Sequence, residues 1–161
     1  MIRQILQFPD PLVSSICAPV AHFDDSLRGL ISDLFETLRA TERPSVGLSS
    51  NQVGDLRRVF VIDQGCGTRP RGDTDTWAIV NPKIEKRRGA QFGPEACLSL
   101  PEAINLRLER AKIINWSGQD GYGKPISGKF SGMLARIFQH ELDHLNGFLI
   151  THRAQQQGVK I

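Results

Sequence analysis

"INLRLERAKIINWSGQDGYGKPISGKFSGMLARIFQHELDHLNG" occupies residues 104–147. Its first part alternates apolar and polar residues, the period of a strand with one buried face. The segment "QDGYGKP" (119–125) is rich in turn formers and splits the stretch into a hairpin. After Ser131 the period changes. Met133, Leu134, Ile137 and Phe138 follow helical spacing, with Ser131 as N-cap and Gly147 as the stop. Two strands followed directly by a helix argue against a βαβ crossover and for an antiparallel sheet beside helices.

The flanks agree. "WAIVNPKIEKRRG" (77–89) alternates like a strand, and "RRVFVIDQ", around residues 58–64, is short and β-branched. "GCGTRPRGDTD" (65–75) is glycine, proline and charge, an exposed loop. "DDSLRGLISDLFETLRAT" places Leu27, Leu30, Ile31, Leu34, Phe35 and Leu38 on one helical face, which predicts a helix over 25–40 capped by Asp24 or Asp25. The expected fold is α+β: antiparallel β-sheets packed around a central helix, with an N-terminal helix. A chain of 161 residues makes one domain, 1–161, with a short C-terminal tail.

Composition narrows the class. The chain is 40% hydrophobic with a net charge of +3, which fits an ordinary globular protein and calls for no nucleic-acid partner. The basic run at 83–89 is expected to be a solvated strand end, with RNA contact the lesser reading. Three cysteines, Cys17, Cys66 and Cys97, cannot all pair with one another, so a reducing compartment is expected. "MIRQILQFPDPLV" lacks a long apolar run, so neither a signal peptide nor a membrane span is expected.

The central helix carries H-E-x-x-H as His140, Glu141 and His144. Histidines four apart lie on one helix face about one turn apart and can share a metal ion. Glu141 then reaches the water such an ion holds. A catalytic site of this type needs a third protein ligand. The spacing H-E-x-x-H-x-x-G-x-x-H would require histidine at Ile150, and His152 lies two residues too far. No Asp or Glu follows Asp143, which removes any downstream carboxylate. Upstream, Cys97 in "GPEACLSLPEA" lies on a segment stiffened by Pro94 and Pro101, and a thiolate binds zinc or ferrous iron well. Cys97 therefore stands ahead of His152, Cys17 and Cys66. Cys17 reads as a small buried hydrophobe and Cys66 as incidental.

Three stretches taken together resemble the peptide deformylase family. Its motifs are G-x-G-L-A-A-x-Q, E-G-C-L-S and Q-H-E-x-D-H-L-x-G. This chain reads "SVGLSSNQ" (45–52), "EACLS" (95–99) and "QHELDHLNG" (139–147), in the same order. The opening "ILQFPDPLVSSICAPV" is also similar to the family's start. The resemblance implies Cys97, His140 and His144 as metal ligands, with Glu141 as general base and acid. It also implies that the Gln52 amide and the Leu98 backbone N–H hold the oxyanion. The implied reaction is metal-dependent hydrolysis of the N-formyl group of an N-terminal formyl-methionine, releasing formate. The implied cofactor is one Fe2+ per chain, with Zn2+, Ni2+ or Co2+ as replacements. The peptide is expected to lie as an added strand against Val46, Gly47 and Ala96, with the methionine side chain in a pocket walled by Val46, Phe92, Met133, Ile137 and the edge of His140.

The implied partner is the nascent formylated peptide, met by a monomer. The setting would be the cytoplasm of a bacterium, or of its host for a phage-encoded member, with an organelle as the remaining alternative. The eleven-residue tail "THRAQQQGVKI" is expected to be too short for the C-terminal helix with which many members dock on the ribosome.

Several positions depart from the motifs. Ser45 replaces the first glycine, and Ser49-Ser50 replace the alanine pair, so both hydroxyls need partners if buried. Ala96 replaces a glycine, which matters only if that position requires φ > 0. The arginine expected shortly after the second motif is missing from "AIN", and Arg107 is its expected substitute. Glu95 and Asp143 are expected to orient neighbours by hydrogen bonds, and Arg136 to pair with a carboxylate. His22 and His152 are expected to be ordinary, non-ligating histidines. Two other classes stand beside the deformylase: a zinc peptidase cutting internal bonds, and a non-catalytic metal-stabilised binding domain. Cys97 and Gln52 argue against the first and Glu141 against the second.

Overall fold

The structure is a computed structural model, and it describes residues 1–43, 45–65, 76–103 and 105–160. The expected 65–75 loop, Cys66 included, lies almost wholly outside the described residues, with Gly65 alone inside them. Five strands form one antiparallel sheet in the order β1-β2-β3-β4-β5: β1 Gly47–Ser49, β2 Val59–Asp63, β3 Thr76–Glu95, β4 Leu106–Gln119 and β5 Pro125–Ser131. Among the described residues three α-helices accompany it: α1 Asp25–Arg39, α2 Gly132–Leu145 and α3 Ile150–Gln156. The α+β expectation holds, with one continuous sheet where several were expected. No described helix is long and apolar enough to cross a membrane.

Strand β2 shows why the layers form. Its residues Val59 and Val61 pack with Leu27, Leu30, Leu34 and Leu38 of α1 on one face. Phe60 and Ile62 pack with Ala135, Phe138, Leu142 and Leu145 of α2 on the other. A strand covered on both faces reads as a continuous apolar run, as "VFVI" does. The Phe60 and Phe138 rings meet edge-on at 5.1 Å, which locks α2 onto the sheet.

Asp24 caps α1 by accepting a hydrogen bond from the Leu27 N–H at 2.9 Å. Ser131 occupies the cap position of α2, but its side chain makes no capping bond there. The helix stops at Leu145, and Gly147 follows with φ +78°. A Cβ on Gly147 would lie 2.7 Å from the Ser14 carbonyl oxygen, which cannot swing aside as a side chain can. Gly147→Ala is therefore expected to destabilise the fold by about 2 kcal/mol, from the left-handed backbone and the clash together. Urea unfolding midpoints of the two proteins check this.

The tail is not bare coil. Residues 150–156 form α3, tied to α2 by Arg153, whose guanidinium bonds Asp143 at 2.9 Å and 2.5 Å.

Candidate metal centre

Helix α2 has two working faces. Ala135, Phe138, Leu142 and Leu145 enter the core, while Ile137, His140, Glu141 and His144 recur at i, i+3, i+4 and i+7 on an adjoining stripe. That stripe faces the end of β3. The strand delivers Glu95, and the turn after it delivers Cys97. One ligand atom each from Cys97, His140 and His144 lies within 4.8 Å of the others. The Cys97 Sγ and His144 Nε2 are 3.2 Å apart, and the two imidazole centroids are 5.0 Å apart. Of the candidates weighed for third ligand, Cys97 meets the histidines. Cys17 is buried in the core beside Ser50, and the His152 Nδ1 accepts from the Leu149 N–H at 3.0 Å.

The neighbours prepare these atoms. The Glu95 carboxylate sits 3.0 Å from His140 Nδ1, an acceptor that keeps a proton on Nδ1 and so leaves Nε2 as the nitrogen that would give up its proton to a metal. Burial alone would raise the Cys97 thiol, but His144 and His140 outweigh it and hold the thiol well below its usual range. A lowered thiol yields the thiolate, the form that binds a metal, more readily. Burial pushes the Glu141 carboxyl up, and His140, His144 and the Ser49 hydroxyl offset only part of that rise. The donor set, one thiolate and two imidazoles at the edge of an open pocket, suits a single divalent transition metal.

Glu95 is the hub of a buried ionic network. Arg110 grips it bidentately at 2.8 and 2.9 Å and reaches Asp143 at 2.5 Å, while Arg136 bonds it at 2.8 Å. Sequence reasoning missed Arg110, yet a signal existed. On β4, Leu106, Leu108 and Arg110 share the inward phase, and a buried arginine requires a carboxylate. Arg107, the expected substitute, is on the outward phase, stacked over the Phe92 ring at 5.2 Å. Ser99 was also missed. Its hydroxyl accepts from Gln52 Nε2 at 3.0 Å.

Gln52 lies on a 3-10 turn (Ser50–Val53) directly after β1. Its Oε1 accepts from the Ser49 N–H at 3.0 Å, so its Nε2 faces Ser99 and, at 3.8 Å, the Cys97 sulfur. A cavity of about 190 Å³ opens on the centre, lined by Val46, Gly47, Gln52, Ala96, Cys97, Leu98, Met133, Ile137, His140 and Glu141 among others. Phe92 is not in this wall. Residues 91, 93 and 95 of β3 turn toward α2, and Phe92 falls on the opposite phase, largely exposed. Ala96 has no positive φ, so its methyl is compatible with the backbone there. Gly47 leaves room for the Glu141 side chain: an added Cβ would stand 2.4 Å from Glu141 Oε1.

Comparison with known proteins gives a consistent picture. A family model described as "Polypeptide deformylase" matches residues 2–160. "Peptide deformylase 1" of Corynebacterium glutamicum is 40% identical over 156 residues, covering 94% of this chain and 86% of that protein. "Peptide deformylase" of Dictyoglomus thermophilum is 32% identical over 160 residues, covering 99% and 97%. Among solved structures, a peptide deformylase from Legionella pneumophila superposes with a TM-score of 0.85 at 37% identity, covering 95% of this chain and 86% of that one. The one from Thermotoga maritima gives 0.84 at 36% identity, covering 95% and 97%.

Proposed function

The chain belongs to the polypeptide deformylase family, and from that membership we propose how its own residues divide the removal of the N-formyl group from nascent polypeptides. The reaction hydrolyses a linear amide and releases formate and a free amine. The relatives give no support to an internal peptidase or a non-catalytic binding domain. The observation that carries the assignment of roles is the convergence of Cys97, His140 and His144 beside a pocket that Glu141 and Gln52 also line.

Cys97, His140 and His144 would hold the one metal ion that a deformylase uses. When bound, it supplies Lewis-acid polarisation of the formyl oxygen and acidifies water. The thiolate and imidazole set accepts ferrous iron as well as zinc, nickel or cobalt; ferrous iron is the ion we propose, and metal analysis of protein prepared without oxygen distinguishes them. Glu141 takes a proton from the attacking water as the new C–O bond forms. It then passes that proton to the amine nitrogen as the C–N bond breaks. A carboxyl pushed up by burial is suited to both halves of this exchange. Gln52 Nε2 and the Leu98 N–H are the donors for the oxyanion. The hold of the Ser49 N–H on Gln52 Oε1 supports this, because it fixes the amide with its donor end toward the centre.

The peptide lies along β1. That strand is at the end of the sheet order, so its second edge is free among the described strands. Val46, Gly47 and Ala96 supply the backbone contacts. The methionine side chain enters between Val46, Met133, Ile137 and the edge of His140. We read residues 1–161 as one catalytic domain acting as a monomer.

Formate release from a short formyl-methionyl peptide, by protein loaded anaerobically with ferrous iron, tests the activity. No formate from metal-loaded protein would overturn it. Ile137→Trp tests the pocket. The larger ring should fill the cavity and lower kcat/KM on formyl-methionyl peptides by at least about tenfold. Unchanged kcat/KM would remove Ile137 from the wall.

A further inference from the structure

Ser49, the last residue of β1, touches both Glu141, assigned to carry the proton, and Gln52, assigned to the oxyanion. Its hydroxyl oxygen is 2.6 Å from Glu141 Oε2 and 3.1 Å from the Glu141 carbonyl oxygen. A hydroxyl has one proton, and the nearer, charged acceptor is the stronger partner. Its backbone N–H meets Gln52 Oε1 at 3.0 Å. Ser49 is fully buried, so water does not compete for these bonds. At the other end of β1, Gly47 leaves open the space in which Glu141 Oε1 sits. One end of a three-residue strand thus bonds one oxygen of the carboxylate, and the other end leaves room for the second. The family motif has alanine where this chain has Ser49, so the hydroxyl is extra to the metal set.

We propose that Ser49 is a positioning residue for Glu141. Its O–H fixes Oε2, leaving Oε1, on the Gly47 side, as the oxygen that takes and returns the proton. A free glutamate samples many rotamers, and one held in place by a buried hydrogen bond has already lost that freedom before substrate binds. The inference rests on the reading of Glu141 as the proton carrier.

Three variants test it. Ser49→Ala should lower kcat by about three- to tenfold, the effect of one hydrogen bond, and leave KM and metal content unchanged. Ser50→Ala is the control for a merely structural serine. Its buried hydroxyl donates to the Arg57 carbonyl oxygen and does not touch Glu141, so kcat should stay within about twofold of the wild type. Glu141→Gln separates the two claims. Turnover retained in that variant overturns the role of Glu141 itself. A silent Glu141→Gln beside a fully active Ser49→Ala overturns only the role of Ser49. Equal kcat losses in Ser49→Ala and Ser50→Ala overturn it as well. A crystal structure of the metal-free Ser49→Ala protein gives a readout apart from activity. The Glu141 carboxylate should be displaced or divided between rotamers, and an unmoved, singly ordered carboxylate overturns the proposal.

Discussion

Glu141→Gln is expected to reduce formate release by at least about a thousandfold while leaving metal content and folding intact. The magnitude follows from general acid–base catalysis, which supplies about 10²–10⁴ in rate, together with the doubled use of this one residue. Glutamine keeps the shape and can still meet the Ser49 hydroxyl, but it cannot accept the water's proton or return one to the amine. Folding should survive because the substitution removes a buried carboxyl whose ionisation burial already disfavours. Metal content should survive because Glu141 is not among the three converging donors. Formate assays at saturating peptide, paired with metal analysis and thermal unfolding, check all three points. A variant that loses its metal would place Glu141 among the ligands, and one that keeps its rate would move the proton transfer to another group.

How much of this was legible depends on what each residue's signal measures. The 3.6-residue period of α1 and the apolar run of β2 report burial directly, because both elements pack into the core. The His140 and His144 pair was legible because a helical metal site fixes residue type and spacing together, whereas Cys97, remote in sequence, is brought to them only by the fold. Strand β3 was read only as far as Gly89, although it continues to Glu95 through Gly89, Gly93 and Pro94. Past Val80 it pairs with β4 alone among the described strands, so its other edge carries no strand ladder there and tolerates proline. Strand β1 is too short to show a period, and it is the element on which Ser49 and Gly47 meet Glu141. Helix α3 has little apolar periodicity because ion pairing of Arg153 with Asp143 helps to anchor it. Phe92 was misplaced because nearness to a motif gives no strand phase, and phase alone decides which face a side chain takes.

The largest effect on the fold is expected from Glu95→Gln. The carboxylate satisfies Arg110 through both oxygens, bonds Arg136, and sets the His140 tautomer, all in a buried site. Although burial opposes its charge, Arg110 and His140 outweigh that and hold the carboxyl far below its usual range. Glutamine leaves two buried guanidinium groups facing a neutral amide. Arg110 keeps Asp143, but Arg136 keeps only carbonyl oxygens, those of Gly93, Leu108 and Gln91. Breaking one side of a buried ion pair costs about 3–5 kcal/mol, and the remaining bonds place this variant toward the lower end. The second consequence is separate. The glutamine amide can offer His140 Nδ1 a neutral acceptor or, flipped, a donor, so the imidazole is held less firmly and is a poorer ligand. Metal affinity should fall by about 10–100-fold. Urea unfolding of the metal-free protein isolates the first effect, and competition with a chelator of known affinity isolates the second. A variant that unfolds like the wild type without metal, yet binds metal poorly, would show that Glu95 serves the ligand alone. The reverse pattern would assign it to the ionic network alone and leave the tautomer of His140 to another neighbour.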